Sequence, residues 1–392
     1  MGRIKQSLFR KKRKKESWFK YLMAILHLWL GLLSALIVFI VAFSGSIYAY
    51  KQQVVDFVNR EAAFVEPQNV IISSVDDLLA HFESNYGTAT AIQVFDDDNR
   101  SFVITSMTKG NVGITVYYNP YTGEQCGLQK QGWNTFFETM LNLHRFLLLG
   151  DTGKLINGIA ILIFVFLLIS GLVLWIPMSI AKLKDSLRVE WRTTFYRLIY
   201  DLHNTLGFYT TILLLCIALT GLYTSFHWMK NLMIVGLGGH SIVISEDNLE
   251  LQKDLSDAFK TALNNLEEET DKPTEKPMSL QAIVDESNGL LTNKGQTTIL
   301  PPNEHVKTIK ATKINFDTFM ETPDVIEFSA SGQIRTIKLF KDLPFHEKFK
   351  SIVKPMHTGE LFGLPGIIIF SLASFIACSL PVTGVVLWLK KM

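Results

Sequence analysis

Four stretches of the 392-residue chain stay apolar long enough to cross a membrane: 22–50, 155–176, 206–226 and 361–389. A helix needs about 20 residues to span about 30 Å of hydrocarbon. Between these stretches the period shortens. Segments 91–95, 101–105 and 112–118 read as strands, separated by Asn, Asp and Gly clusters of turn chemistry. Asn119-Pro-Tyr-Thr-Gly123 is a further turn, and the first span continues as helix to about Arg60. The segment 229–355 predicts an amphipathic helix over 249–266, a charged surface loop over 267–277 and a short helix over 279–287. Strands follow at 297–300, 308–314, 325–328 and 334–339. No strong sequence repeat is evident, yet both segments share a helix-then-sheet order, which hints at a duplicated module. The expected fold is an α-helical membrane protein, a four-span helix bundle with two extracytoplasmic α+β segments. Its parts are a basic N-terminus (1–20), the first span (21–50), an outer segment (51–140) and an interfacial turn with the second span (141–177). A short connection (178–202), the third span (203–228), a second outer segment (229–355), the fourth span (356–389) and a tail (390–392) complete it.

Composition agrees with this picture. Only 19% of residues are charged and 48% are hydrophobic, with 27 Phe and 7 Trp, whereas soluble domains carry about 25% charged residues. Disorder, a fibrous repeat and a free cytoplasmic enzyme are excluded. A net charge of +2 gives no global field for nucleic acid. Cys126, Cys216 and Cys378 show no CxxC spacing, so a thiolate-held zinc or iron–sulfur site is not expected. The first apolar run far exceeds a signal-peptide core of about 7–15 residues and reads as an uncleaved span. Basic residues set the expected orientation. Arg3, Lys5, Arg10 to Lys15 and Lys20 precede the first span, Lys182, Lys184, Arg188, Arg192 and Arg197 join the second to the third, and Lys390-Lys391 end the chain. With four spans all three groups share one side, the cytoplasm, and both long segments face outward.

Histidines mark the span ends. His27 lies about one turn into the first span and His203 just before the third, both at the expected cytoplasmic face. His144 precedes the second span and His357 the fourth, both at the outer face. Ionisable residues in a span are costly and often functional. Neutral imidazole is a good ligand for haem iron, whose two axial positions can take opposed histidines. Small residues, Gly31, Ser34, Gly158, Gly207, Gly363 and Gly366, leave room for a flat macrocycle between helices. On pattern alone two readings stand: interfacial polar residues with helix-packing glycines, or paired axial ligation. A histidine pair without carboxylates has too few ligands for a typical zinc site. His227 is a weaker outer candidate, and His81, His240 and His305 read as solvent-facing.

The combination resembles the PepSY-associated transmembrane helix family of bacterial inner-membrane proteins, which includes ferric-siderophore reductases. The resemblance rests on His27-Leu-Trp-Leu-Gly-Leu32 with Ser44-Gly45, and on Leu143-His144 with Ser170-Gly-Leu-Val-Leu-Trp-Ile-Pro177. It continues in Leu202-His203-Asn-Thr-Leu-Gly207 with Leu219-Thr-Gly-Leu-Tyr223, and in Met356-His357-Thr-Gly-Glu-Leu-Phe-Gly363 with Thr383-Gly-Val-Val-Leu-Trp388. It covers all four spans. Residues 116–124 and 328–334 are similar to the closing strands and turns of PepSY modules.

The resemblance implies b-type haem held by His27, His144, His203 and His357, with electrons passing to a ferric chelate outside. Topology pairs His27 with His203 and His144 with His357, hence two haems, one near each face. Arg145 is expected to face haem propionates or lipid headgroups, as is Lys354. Trp133, Phe136, Phe137, Phe345, His346 and Lys354 are candidates to line a docking surface for a ferric-siderophore. No GxGxxG opens a helix, and Gly150-Asp-Thr-Gly-Lys154 reads as a turn. The electron donor is therefore expected to be separate: a reductase, a flavin or a membrane quinol. Two rivals follow from the same residues: a PepSY-type sensor or peptidase regulator without redox activity, and a quinone-linked carrier with another acceptor.

Overall fold

The computed structural model describes residues 12–13, 16–68, 74–107, 113–177, 183–240, 278–302, 308–316 and 319–390. The helix expected at 249–266 and the loop at 267–277 lie outside the described residues, as do most of the basic N-terminus, Lys182, His305 and Lys391. In chain order come α1 (Trp18–Tyr48), α2 (Lys51–Val58), α3 (Arg60–Ala63), α4 (Val75–Tyr86), β1 (Ala89–Phe95), β2 (Phe102–Met107), β3 (Gly113–Tyr118) and β4 (Gln125–Leu128). Then follow α5 (Gln131–Phe146), α6 (Gly150–Trp175), α7 (Leu183–Ser186), α8 (Phe195–Ser225) and α9 (His227–Gly236). The last are α10 (Leu280–Leu290), β5 (Gly295–Leu300), β6 (Ile309–Asn315), β7 (Thr322–Phe328), β8 (Ile334–Lys338), α11 (Phe345–Thr358) and α12 (Gly363–Leu389). They form two compact units: residues 1–58, 130–230 and 352–392 in one, residues 59–129 and 231–351 in the other.

The first unit is helical. Among the described residues, four helices are long and apolar enough to cross a membrane: Trp18–Tyr48, Gly150–Trp175, Phe195–Ser225 and Glu360–Leu389. Ser17 starts α1 by accepting the Lys20 amide at 3.1 Å, which satisfies one orphan donor of the first turn. α1 packs against α6 and α12, and α8 packs against the same two, closing a four-helix ring. Val38, Phe164, Leu168, Leu214, Ala218, Ala373 and Ala377 fill its centre. Leu36 and Ile212 point outward, 70% and 81% exposed. Water would penalise that much exposed apolar surface, whereas lipid does not. α8 starts at Phe195, so His203 lies inside the helix and not before it. The apolar window misses that first part because it is polar, but Arg197 and Asp201, 3.1 Å apart one turn along, hold it helical.

The second unit carries one antiparallel sheet of eight strands, in the order β4-β3-β2-β1-β5-β6-β7-β8. The two α+β segments are thus halves of one sheet, joined where β1 pairs β5 with Ile92 opposite Ile299. The halves repeat each other. Each is a helix followed by a four-stranded meander, and each carries a register shift between its last two strands, at Tyr117/Tyr118 and at Glu327/Phe328. The predicted turns close those last hairpins. Asn119 Oδ1 accepts the Tyr121 amide at 2.9 Å, and Ser329 Oγ accepts the Gln333 amide at 3.0 Å. Gly123 and Gly332 supply the positive φ there, at 74° and 86°. α4 and α10 bury Phe82 and Ile283 in a core with Ile92, Ile104, Tyr118, Ile299, Ile326 and Phe328. Polar contacts tie the halves together. Asp76 accepts the Leu280 and Gln281 amides at 2.7 and 3.0 Å, capping α10, while Gln281 Oε1 accepts the Val75 amide of α4 at 2.9 Å. Buried Lys313 Nζ meets Asp96 Oδ2 at 2.9 Å, and donates to the Leu291 carbonyl and to Asn288 Oδ1.

Candidate functional site

The helical unit brings four histidines together in two pairs. His27 of α1 faces His203 of α8, with ring centroids 6.4 Å apart and planes at 83°. His144 of α5 faces His357 of α11, with centroids 6.0 Å apart and planes at 56°. The pairs sit at opposite ends of the ring. His27 lies in the third turn of α1, whereas His144 rests against Val41 on the same helix, about 20 Å further along at 1.5 Å per residue.

Each ring has one nitrogen engaged. His27 Nδ1 lies 2.8 Å from Ser170 Oγ, and His203 Nδ1 lies 2.8 Å from Thr383 Oγ1. His144 Nδ1 donates to the Val41 carbonyl at 2.8 Å. His357 Nδ1 donates to the Ile217 carbonyl at 2.9 Å and lies 2.9 Å from Thr220 Oγ1. Ser170 and Thr383 spend their own protons on the Leu167 and Ser379 carbonyls, at 3.2 and 2.9 Å, so their oxygens are left to accept. A carbonyl, or a hydroxyl whose proton is already spent, can only accept, so in all four rings the proton sits on Nδ1 and the Nε2 lone pair is left for a ligand. Two metal–imidazole bonds of about 2.0 Å, with each ring centre about 1.1 Å behind its nitrogen, put opposed centroids about 6 Å apart. Both pairs have that spacing. Among the described residues no three or more of His, Cys, Asp and Glu gather as a metal site. Each pair therefore suits an ion whose remaining positions are filled by something other than protein.

The His27–His203 pair opens onto a cleft. Leu28, Gly31, Ser34, Val38, Phe164 and Pro381 are among its walls. It is mostly apolar, with the two imidazoles among its few polar groups, which is the character of a cofactor pocket.

The second pair depends on two helix junctions. Asn157 of α6, buried, donates from Nδ2 to the carbonyls of His144 and Arg145 at 2.8 and 3.3 Å. The chain leaves α5 through Leu147 and Leu148, at φ 50° and 60°, a left-handed conformation costly for leucine. Gly150 then opens α6 at φ 58°, and Gly363 opens α12 at φ 59°. A Cβ on Gly153 would lie 1.7 Å from the Phe146 carbonyl oxygen, and one on Gly366 2.2 Å from that of Gly359. The chain interval from Gly153 to Gly366 equals that from His144 to His357. The junctions are therefore matched parts of a duplicated unit. The Asn157 contacts and the carbonyls behind the rings carry no motif in the sequence and were not anticipated.

The other candidates are dispersed. Arg145 stacks its guanidinium on Phe146, 5.0 Å from the ring centre. Trp133 packs on Phe136 and Phe137, at 6.0 and 6.4 Å. Phe137 is itself buried, so it packs the helical unit and offers no docking surface. Lys354 is exposed on α11. Phe345 is exposed in the sheet-bearing unit, where His346 lies 3.8 Å from Glu347. His81 is exposed and pairs with the Tyr118 hydroxyl at 3.1 Å.

No curated protein matches the sequence. A family model described as the PepSY-associated TM region matches residues 24–391, so with four apolar helices, a matched pair of helix junctions and two halves of one sheet, the chain belongs to that family.

Proposed function

We propose that the chain is a haem-containing reductase of the bacterial inner membrane that passes electrons outward to a periplasmic ferric-siderophore or another ferric chelate. The observation that carries this reading is the opposition of two imidazole pairs, each with Nδ1 engaged and the centroids 6.4 or 6.0 Å apart. That spacing fits six-coordinate iron in a planar tetrapyrrole, which fills the four positions the protein leaves open. The cleft beside His27 and His203 has the apolar lining such a group needs. When bound, b-type haem supplies a one-electron ferric/ferrous couple.

The chain's own residues do the rest. The acceptors behind Nδ1 hold the rings neutral and aimed. The apolar walls exclude water, which keeps a low dielectric around the site. Arg145, in the last turn of α5 next to His144, is suited to a propionate carboxylate. Lys184, Arg188 and Arg192 between the second and third spans, with Arg197 in the first turn of α8, favour the cytoplasm for that connection by the positive-inside rule. Both halves of the sheet then stand outside. A separate reductase, flavin or quinol supplies one electron for each ferric ion reduced. Ferrous iron suits hard oxygen ligands less than ferric iron does, so the chelate releases it. Trp133, Phe345, His346 and Lys354 are candidates for chelate docking.

The test is the reduced-minus-oxidised spectrum of the detergent-purified chain, with haem counted per chain. About two low-spin b-type haems are expected. His27→Ala or His203→Ala should remove one, and His144→Ala or His357→Ala the other. Dithionite-reduced protein should reoxidise faster when a ferric chelate is added without oxygen. Haem without that acceleration would favour a quinone-linked carrier. A chain without haem, from haem-replete cells, would favour the sensor or peptidase-regulator reading.

A further inference from the structure

Behind each of the four histidines stands the same short piece of helix. Val41, Ser44 and Gly45 of α1 lie behind His144, and Leu167, Ser170 and Gly171 of α6 behind His27. Ile217, Thr220 and Gly221 of α8 lie behind His357, and Leu380, Thr383 and Gly384 of α12 behind His203. In every case the carbonyl precedes the hydroxyl residue by three positions, and the glycine follows at once. Each span thus supports the histidine of a neighbouring helix. The chain interval from His27 to Gly45 equals that from His203 to Gly221, and the interval from His144 to Gly171 equals that from His357 to Gly384.

The three residue types have separate tasks. At His144 and His357 the carbonyl fixes the proton on Nδ1. The hydroxyl spends its own proton on the preceding turn: Ser44 on Ile40 at 2.7 Å, Ser170 on Leu167 at 3.2 Å, Thr220 on Cys216 at 2.7 Å and Thr383 on Ser379 at 2.9 Å. Its oxygen is left to accept, and at Ser170, Thr220 and Thr383 it faces Nδ1 within 2.9 Å. The glycine leaves room for the ring. A Cβ would lie 2.7 Å from His144 Cε1 at Gly45, 3.3 Å from His357 Cε1 at Gly221, 3.4 Å from His27 Cε1 at Gly171 and 3.6 Å from His203 Cε1 at Gly384.

We propose that these four carbonyl–hydroxyl–glycine steps are positioning devices, each fixing one histidine so that its Nε2 lone pair points at the histidine opposite. The proposal deepens the reading of the pairs as axial ligands and rests on it for its optical test. Hydrogen bonding at Nδ1 makes an imidazole a stronger donor to metal, so the steps also set the potential of each site. The glycines grade the effect. Alanine at Gly45 collides with the ring, whereas alanine at Gly384 makes an ordinary contact.

The experiment compares Gly45→Ala, Gly384→Ala, Thr383→Val and Thr383→Ser with the parent chain, purified whole in detergent. Gly45→Ala should drop from about two haems to about one per chain, losing the site of His144 and His357, and Gly384→Ala should keep both. Thr383→Val should keep both haems and move only one of the two midpoint potentials, upward, and Thr383→Ser should restore it. The proposal is overturned if Gly45→Ala keeps two low-spin haems, or if Thr383→Val leaves both potentials where they were. Should Gly45→Ala fail to fold, the Thr383 pair decides. A histidine-selective ¹⁵N spectrum separates the two ideas when the parent chain carries no haem. That result defeats the haem reading, while protons on Nδ1 of the four histidines would uphold the steps and protons on Nε2 would defeat them.

Discussion

Leu147 and Leu148 hold left-handed backbone next to His144, at φ 50° and 60°. Such conformations cost about 1–2 kcal/mol for a residue with a Cβ, and they tend to lie where a structure fixes a functional group. Leu148 is 58% exposed, so little packing depends on its side chain. Leu148→Gly should therefore stabilise the protein, by about 0.5 kcal/mol once the freedom glycine adds to the unfolded chain is subtracted. A thermal melt in detergent reads this as a small rise in Tm. Asn157→Leu should do the opposite, because it removes the two donations to the His144 and Arg145 carbonyls. A loss of about 1–3 kcal/mol is expected, seen as a lower Tm. The positions of the four histidines were legible in the sequence because polar rings at the ends of apolar runs stand out. The Ser-Gly and Thr-Gly steps behind them were visible as part of the family pattern, but their role was not, since main-chain carbonyls have no letter and nothing local says which helix a step faces.

At the scale of elements, the spans were legible because lipid demands long apolar runs, and α8 was underestimated only where its first turns are polar. α5 and α11 were missed. Both are short and amphipathic, and α11 contains Pro355, which argues against a helix in isolation. α4 and β4 were missed as well, being only 12 and 4 residues long. The strands of both halves were legible from their alternation, but their union across β1 and β5 was not, because pairing partners far apart in the chain leave no local signature. That union should be sensitive to Asp76. Asp76→Ala exposes the Leu280 and Gln281 amides at the start of α10, and should cost about 1–2 kcal/mol. Faster proteolysis within the sheet-bearing unit, with the helical unit left intact, is the expected readout.

Across the whole molecule each half of the chain contributes one member of each histidine pair, one glycine junction and one meander. Neither half holds a complete site, since His27 needs His203 and His144 needs His357. Cutting the chain in the connection before α8 should thus give halves that bind no bis-imidazole haem when made alone and regain it when made together. Absorption at the Soret band checks both cases. The seam between β1 and β5 also constrains the order of synthesis. β1 is finished long before β5 leaves the ribosome, with α6 and α8 made in between. During that wait β1 is an unpaired edge, the kind of strand that recruits a stranger. A second nascent chain offers the same β5, so crowded translation of this protein invites exchange of halves between neighbours. Slower initiation, more than any change of fold, is what would keep each chain to itself.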